Sequence, residues 1–226
     1  MIEDLLPDPV VAVETYGPGE PENIRLYPEE AALVARSVAK RRREFTLVRA
    51  CARRAMEKLG VPPQPVLPGE RGAPQWPAGL TGSMTHCDGY CAAALVRSTD
   101  LASLGIDAEP HGPLPDGVLA SVSLPGERDR LRLLAGTHPG IHWDRLLFSA
   151  KESVYKAWFP LTGSWLDFAE ADIEILVDPG AASRGRLRVE LLVPGPVVGG
   201  RRRDVLEGRW TVRDGLVATS VVVPHT

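Results

Sequence analysis

Apolar residues fall at Leu33, Val38, Phe45, Val48, Ala52, Ala55, Met56 and Leu59. From Phe45 onward the spacings of three and four mark one face of an amphipathic helix. Pro28 followed by Glu29 and Glu30 reads as a helix start. Proline lacks an N–H that the first turn leaves unpaired anyway, and acids suit the positive end of the helix dipole. Gly60 and Pro62-Pro63 end the helix, and the irregular spacing before Phe45 leaves room for a break. Residues 61–77 are rich in Pro and Gly and predict a surface loop carrying Arg71. Apolar runs at 92–97 and 101–107, joined by Ser98-Thr99-Asp100, predict two strands. From His111 to Gly140 loop signals dominate, with one short helix predicted over 127–135. Leu147, Ala150, Val154 and Trp158 then give 143–159 a helical face. Strands are predicted at 172–178, 186–193, 206–213 and 216–223, the last two joined by Asp214-Gly215, a strong hairpin signal. Helices and strands alternate loosely and the chain ends antiparallel. The pattern predicts a mixed α/β (α+β) fold that divides near residues 103–111 into comparable halves, 1–104 and 105–226.

Composition narrows the function. The 226 residues carry 26 Lys+Arg against 29 Asp+Glu, a formal charge of −3, and 44% are hydrophobic. That length buries a core without disulfide or metal staples. Three cysteines make an odd count and predict no disulfide framework. The acidic start Met1-Ile2-Glu3-Asp4 predicts no signal peptide, and no apolar run is long enough for a membrane span, so a soluble, cytoplasmic protein is expected. Charge is unevenly spread: nine basic and two acidic residues lie between Arg36 and Lys58. Such a face attracts phosphate, nucleic acid or an acidic protein, or is simply solvated. The near-neutral balance and the lack of interleaved aromatics argue against nucleic acid.

Three segments carry candidate chemistry. In Gly105-Ile106-Asp107-Ala108-Glu109, positions i and i+2 of a strand bring Asp107 and Glu109 to one face. A divalent cation such as Mg²⁺ relieves their repulsion, although a strand end in solvent accounts for the pair as well. In Ser149-Ala150-Lys151-Glu152-Ser153-Val154-Tyr155-Lys156, Glu152 and Lys156 are four apart. They are either a helix-stabilising pair or a third carboxylate and a phosphate-binding cation. In Thr81-Gly82-Ser83-Met84-Thr85-His86-Cys87, expected just before a strand, small residues beside His86 let an anion approach. Zinc is rejected: Cys87 and Cys91 have no fitting fourth ligand, and Pro139-Gly140 breaks any alignment of His138 with His142. No P-loop, dinucleotide-binding or G-x-S-x-G motif is present.

Taken in order, Gly82 to His86, Gly105 to Glu109 and Phe148 to Lys156 resemble the Sfp-type 4′-phosphopantetheinyl transferases, in particular their actinobacterial members. Lys40 to Phe45 and Val48 to Arg53 extend the resemblance, which covers residues 36–173. It implies two similar α/β halves related by a pseudo-twofold axis, with coenzyme A between them. It also implies transfer of the phosphopantetheine arm of coenzyme A to a serine of an apo acyl- or peptidyl-carrier domain, releasing adenosine 3′,5′-bisphosphate. Asp107, Glu109 and Glu152 match the family's Mg²⁺-site carboxylates, with Mn²⁺ as the alternative ion. Glu152 is the expected base, and Lys156 the cation on the phosphoryl oxygens. Coenzyme A is expected on Arg41, Arg49, the loop Gly69-Glu70-Arg71-Gly72, Thr85, His86, Lys151 and Lys156. Pro68 stands where actinobacterial members often have Lys, and which of Arg41, Arg42 and Arg43 faces the ligand stays open, since one residue turns a helix by about 100°. Carriers are expected on an apolar surface within His111–Gly140 exposing Leu114, Val118, Leu119 and Leu124. The family implies a monomer without nucleic-acid or membrane partners. Competing readings are a Mg²⁺-dependent pyrophosphate hydrolase and a non-catalytic binder of coenzyme A or a carrier.

Overall fold

The computed structural model describes residues 1–17 and 24–226. Two antiparallel sheets lie side by side, each with a long helix across it. The first half contains β1 (Val11–Tyr16), α1 (Pro28–Val34), α2 (Ala39–Lys58), β2 (Leu80–Cys87) and β3 (Tyr90–Arg97), with strand order β1-β3-β2. The second contains β4 (Ser103–Pro110), α3 (Val118–Val122), α4 (Pro125–Thr137), α5 (Trp143–Thr162), β5 (Ala171–Asp178), β6 (Ala181–Leu191), the two-residue strands β7 (Val197–Val198) and β8 (Arg201–Arg202), β9 (Val205–Arg213) and β10 (Leu216–Val223). Its main sheet has the order β4-β10-β9-β6-β5. The halves share a layout, one 20-residue helix on an antiparallel sheet, but differ in strand number.

Several predicted elements form where their signals lie. The helix breaks between Val34 and Ala39, and Leu33 and Val38 are exposed, which is why they fall off the stripe that begins at Phe45. Asp214 and Gly215 both take positive φ, 54° and 75°, as a tight hairpin turn requires. Two expectations need correction, and one junction has a topology that the sequence left open. The segment 81–87 is not a prelude to a strand but lies in β2, its alternation hidden by Gly82 and Ser83. A Cβ on Gly82 would stand 2.4 Å from the Ala94 carbonyl, so only glycine fits there. The strands on either side of Ser98-Thr99-Asp100 do not pair: β3 lies in the first sheet, and β4 begins the second beside β2. In the segment 111–140 none of the four expected apolar residues is fully exposed, and Val118 and Leu124 are half-buried. Leu114 is buried, Leu119 packs on the core of the second half, and Leu133 on α4 is the exposed one.

Strand β3 is buried on both faces. Ala93 and Leu95 pack on α2 with Ala52, Ala55 and Met56, while Ala92, Ala94 and Val96 face a core shared with Leu104, Ile106, Ala218 and the amino-terminal Ile2 and Leu5. Where the sheets meet, hydroxyls replace a backbone ladder. Ser83 Oγ accepts from the Ile106 N–H at 3.1 Å, and Thr85 Oγ1 accepts from the Ala108 N–H at 3.1 Å. In the second half, Ser149 and Ser153 on α5 bond Thr219 on β10, and Trp143 meets Trp210 edge-on at 5.5 Å. Helix α5 approaches β4 closely because Gly105 has no side chain. A Cβ there would lie 2.0 Å from the Ser153 carbonyl oxygen and 2.7 Å from the Ala157 nitrogen. Gly105→Ala is therefore expected to cost about 3 kcal/mol, read as a lower urea midpoint with an unchanged slope.

Candidate active site

A cleft of about 890 Å³ runs between the halves. Helix α5 forms one wall: Glu152, Tyr155, Lys156 and Phe159 share a face because residues three and four apart line up on a helix. Facing them are Arg41, Phe45 and Arg49 of α2, Ser83, Met84 and His86 of β2, and Glu70, Arg71 and Gly72 of the loop before it.

Of the three neighbouring arginines, Arg41 lines the cleft, and its Nη1 lies 2.7 Å from His86 Nε2. A guanidinium only donates, so Nε2 accepts and the ring is neutral. Burial, reinforced by Arg41, pushes the His86 pKa below its ordinary value. Arg49 is nearly buried, its guanidinium 3.2 Å from the centre of the Phe45 ring and its Nε donating to the Val66 carbonyl. Burial lowers its pKa to about 10. Glu30 was not singled out by sequence reasoning. Fully buried, it binds Arg53 at 2.8 Å, accepts from the Val66 N–H and lies 3.8 Å from Arg49. The Pro-led acidic first turn of α1 marked it only as a helix-start residue.

The loop closes on itself through the Gly69 N–H and the Ala73 carbonyl at 2.7 Å. Arg71 takes φ 52° and reaches over Trp165, whose ring meets that of Tyr155 at 5.1 Å with a tilt of 55°. Trp165 and Tyr155 also edge a smaller pocket of about 130 Å³ that begins beside Glu152. Neither aromatic was anticipated: Tyr155 on a helix face reads as core, and Trp165 lies in the loop after α5, where no pattern marks it.

On the carboxylate side, Asp107 is buried at the middle of β4. Its Oδ1 accepts from Lys156 Nζ at 2.7 Å and Thr85 Oγ1 at 3.2 Å, while Oδ2 is buried without a partner. Burial lifts the Glu152 pKa; Lys156 opposes that shift and Asp107 adds to it. Glu109 is raised by burial and by Asp107, against Arg145, whose Nη1 donates to it at 3.1 Å. Among the described residues no three His, Cys, Asp or Glu side chains close around a common point. Asp107 is held by Lys156 and Glu109 by Arg145. Even so, the carboxylates are hard oxygen donors of the kind Mg²⁺ takes, and Asp107 Oδ2 is left without a protein partner.

Three expected ligand contacts do not line the cleft: Gly69, whose N–H closes the loop on Ala73, Thr85 and Lys151. Thr85 is only 3% exposed and faces β4. Lys151, 3% exposed, instead lines the smaller pocket, its ammonium bound to Glu127 at 2.8 Å and to the Phe168 carbonyl at 2.7 Å. Helical geometry turns Lys151 about 100° away from Glu152, but only the packing of α4 and β5 shows where its ammonium goes.

Family comparisons agree with this geometry. Residues 29–96 match the 4′-phosphopantetheinyl transferase N-terminal domain, and residues 103–193 match the 4′-phosphopantetheinyl transferase superfamily. The chain belongs to the 4′-phosphopantetheinyl transferase superfamily. It is 60% identical to the 4′-phosphopantetheinyl transferase Svp of Streptomyces mobaraensis over 99% of this chain and 89% of that protein. Identity to Npt of Nocardia iowensis is 49%, over 98% and 99%. Identity to PptT of Mycobacterium tuberculosis is 50%, over 90% and 88%. Both bear the same enzyme name. Among the described residues no helix is long and apolar enough to cross a membrane.

The Lys151–Glu127 pair generates a prediction. Lys151→Met strands a buried carboxylate and is expected to cost about 3–5 kcal/mol. Adding Glu127→Gln removes that charge and should recover part of the loss in a urea titration.

Proposed function

We propose that this chain transfers the 4′-phosphopantetheine of coenzyme A to a serine hydroxyl of an apo acyl- or peptidyl-carrier domain. The supporting observation is one cleft with the cations Arg41 and Arg49 on one wall and, on the other, Glu152 and Lys156 beside the unpartnered Asp107 oxygen. The serine oxygen bonds to the phosphorus nearer the pantetheine, the pyrophosphate P–O bond breaks, and adenosine 3′,5′-bisphosphate leaves. Such chemistry needs positioning and charge neutralisation more than a covalent nucleophile.

In this reading the amino-terminal half, 1–104, holds the nucleotide end. Arg41 and Arg49 give α2 its charge at the cleft, His86 supplies a ring nitrogen, and the loop covers the ligand through Glu70, Arg71 and Gly72. The half 105–226 carries the chemistry. Asp107, Glu109 and Glu152 would hold Mg²⁺, or Mn²⁺, which when bound neutralises charge on the pyrophosphate. Lys156 moves from Asp107 to the phosphoryl oxygens, and Glu152, whose proton affinity burial has raised, accepts the serine proton. The small pocket between Tyr155 and Trp165 takes the uncharged pantetheine arm. The protein acts as a cytoplasmic monomer, with no nucleic-acid or membrane partner.

Intact-mass spectrometry of an apo carrier incubated with the protein, coenzyme A and Mg²⁺ tests this. One phosphopantetheinyl group should be gained, and lost on chelation and in Glu152→Gln. Unmodified carrier with coenzyme A still bound would reject the transferase reading in favour of a binder. Arg41→Ala should raise KM for coenzyme A about tenfold with kcat little changed, whereas Arg42→Ala, off the cleft, should leave KM alone.

A further inference from the structure

We propose that Thr85 is a positioning residue, whose hydroxyl orients the Asp107 carboxylate so that Oδ2 faces an incoming divalent cation. The inference rests on the metal-site reading of Asp107 given above.

The hydrogen-bond pattern leaves the Thr85 hydroxyl no choice of direction. The backbone N–H of Ala108 can only donate, so it takes a lone pair of Oγ1 at 3.1 Å. The hydroxyl's own proton goes to Asp107 Oδ1, 3.2 Å away. Lys156 Nζ donates to the same oxygen at 2.7 Å. Two donors from different elements converge on Oδ1, which fixes the carboxylate's rotation and leaves Oδ2 as its only free donor atom, buried and unpartnered. Thr85 is itself held rigidly. It is β-branched, sits in the middle of a strand, is 3% exposed, and is anchored to the residue that follows Asp107. His86, the next residue, turns to the cleft while Thr85 turns to β4.

Ser83 provides an internal comparison. It bonds the same strand in the same way, through the Ile106 N–H, but touches no carboxylate. Weakening the seam between the sheets and misplacing Asp107 are therefore separable effects.

The test is the affinity of the purified protein for Mn²⁺ alone, by electron paramagnetic resonance, alongside calorimetric binding of adenosine 3′,5′-bisphosphate without metal. Thr85→Val should weaken Mn²⁺ about tenfold and leave nucleotide binding unchanged. Thr85→Ser, which keeps the hydroxyl, should restore Mn²⁺ affinity, and Ser83→Ala should retain it even where its melting temperature falls. Should Thr85→Val not fold, Thr85→Ala is read in the same way. Wild-type Mn²⁺ affinity in the Thr85 variants, or equal weakening in Ser83→Ala, overturns the proposal. Loss of nucleotide binding with intact Mn²⁺ affinity would instead make Thr85 a phosphate contact. Asp107→Asn separates the two levels: if it binds Mn²⁺ as the wild type does, the metal reading falls and this proposal with it.

Discussion

Asp107 sits where two sheets and a helix meet, and its carboxylate is met by Thr85 of β2 and Lys156 of α5. A charge this far from water persists only when it is paired and hydrogen-bonded. The surrounding architecture supplies those partners. Gly105 lets α5 come close enough for Lys156 to reach, the hydroxyl seam brings β2 alongside β4, and Thr219 holds α5 through Ser149 and Ser153. The G-I-D-x-E and S-x-K-E-S-x-x-K segments are thus two sides of one packing problem.

Two further buried carboxylates frame the cleft. Glu30 ties α1, α2 and the loop segment at Val66 together, and so sets where Arg49 stands. Glu127 caps α4 through the Leu124 N–H, accepts from the Ile173 N–H of β5 and takes the Lys151 ammonium. Both acids belong to the first turn of a Pro-led helix, where negative charge is favoured, and both have been drawn into the interior. Each anchors the helix that carries one wall of the site.

Much of this was legible in the sequence. The face of α5, the Asp214-Gly215 hairpin and the run of small residues ending at His86 all had local causes. What was not legible came from contacts between distant segments. Thr85 beside His86 looks like part of an anion cradle, and only the approach of β4 turns it inward. Lys151 looks like a ligand contact because it neighbours Glu152, and only α4 shows where its charge goes. Strand β3 reads as an ordinary apolar run, and nothing local says that its successor joins another sheet. The family resemblance carried the overall activity, whereas the division of labour among neighbouring residues needed tertiary contacts.

The core that β3 shares with β4, β10 and the first residues of the chain has a mechanical consequence. It forms a spine common to both halves, so parting them would expose apolar strand faces to water. The walls of the cleft cannot swing as jaws about a hinge. Adjustment to a guest falls to side chains and to the short loop that carries Arg71. For the same reason, a chain severed between Ser98 and Ala102 would not yield two independently stable fragments, because each would lack one side of its own interior.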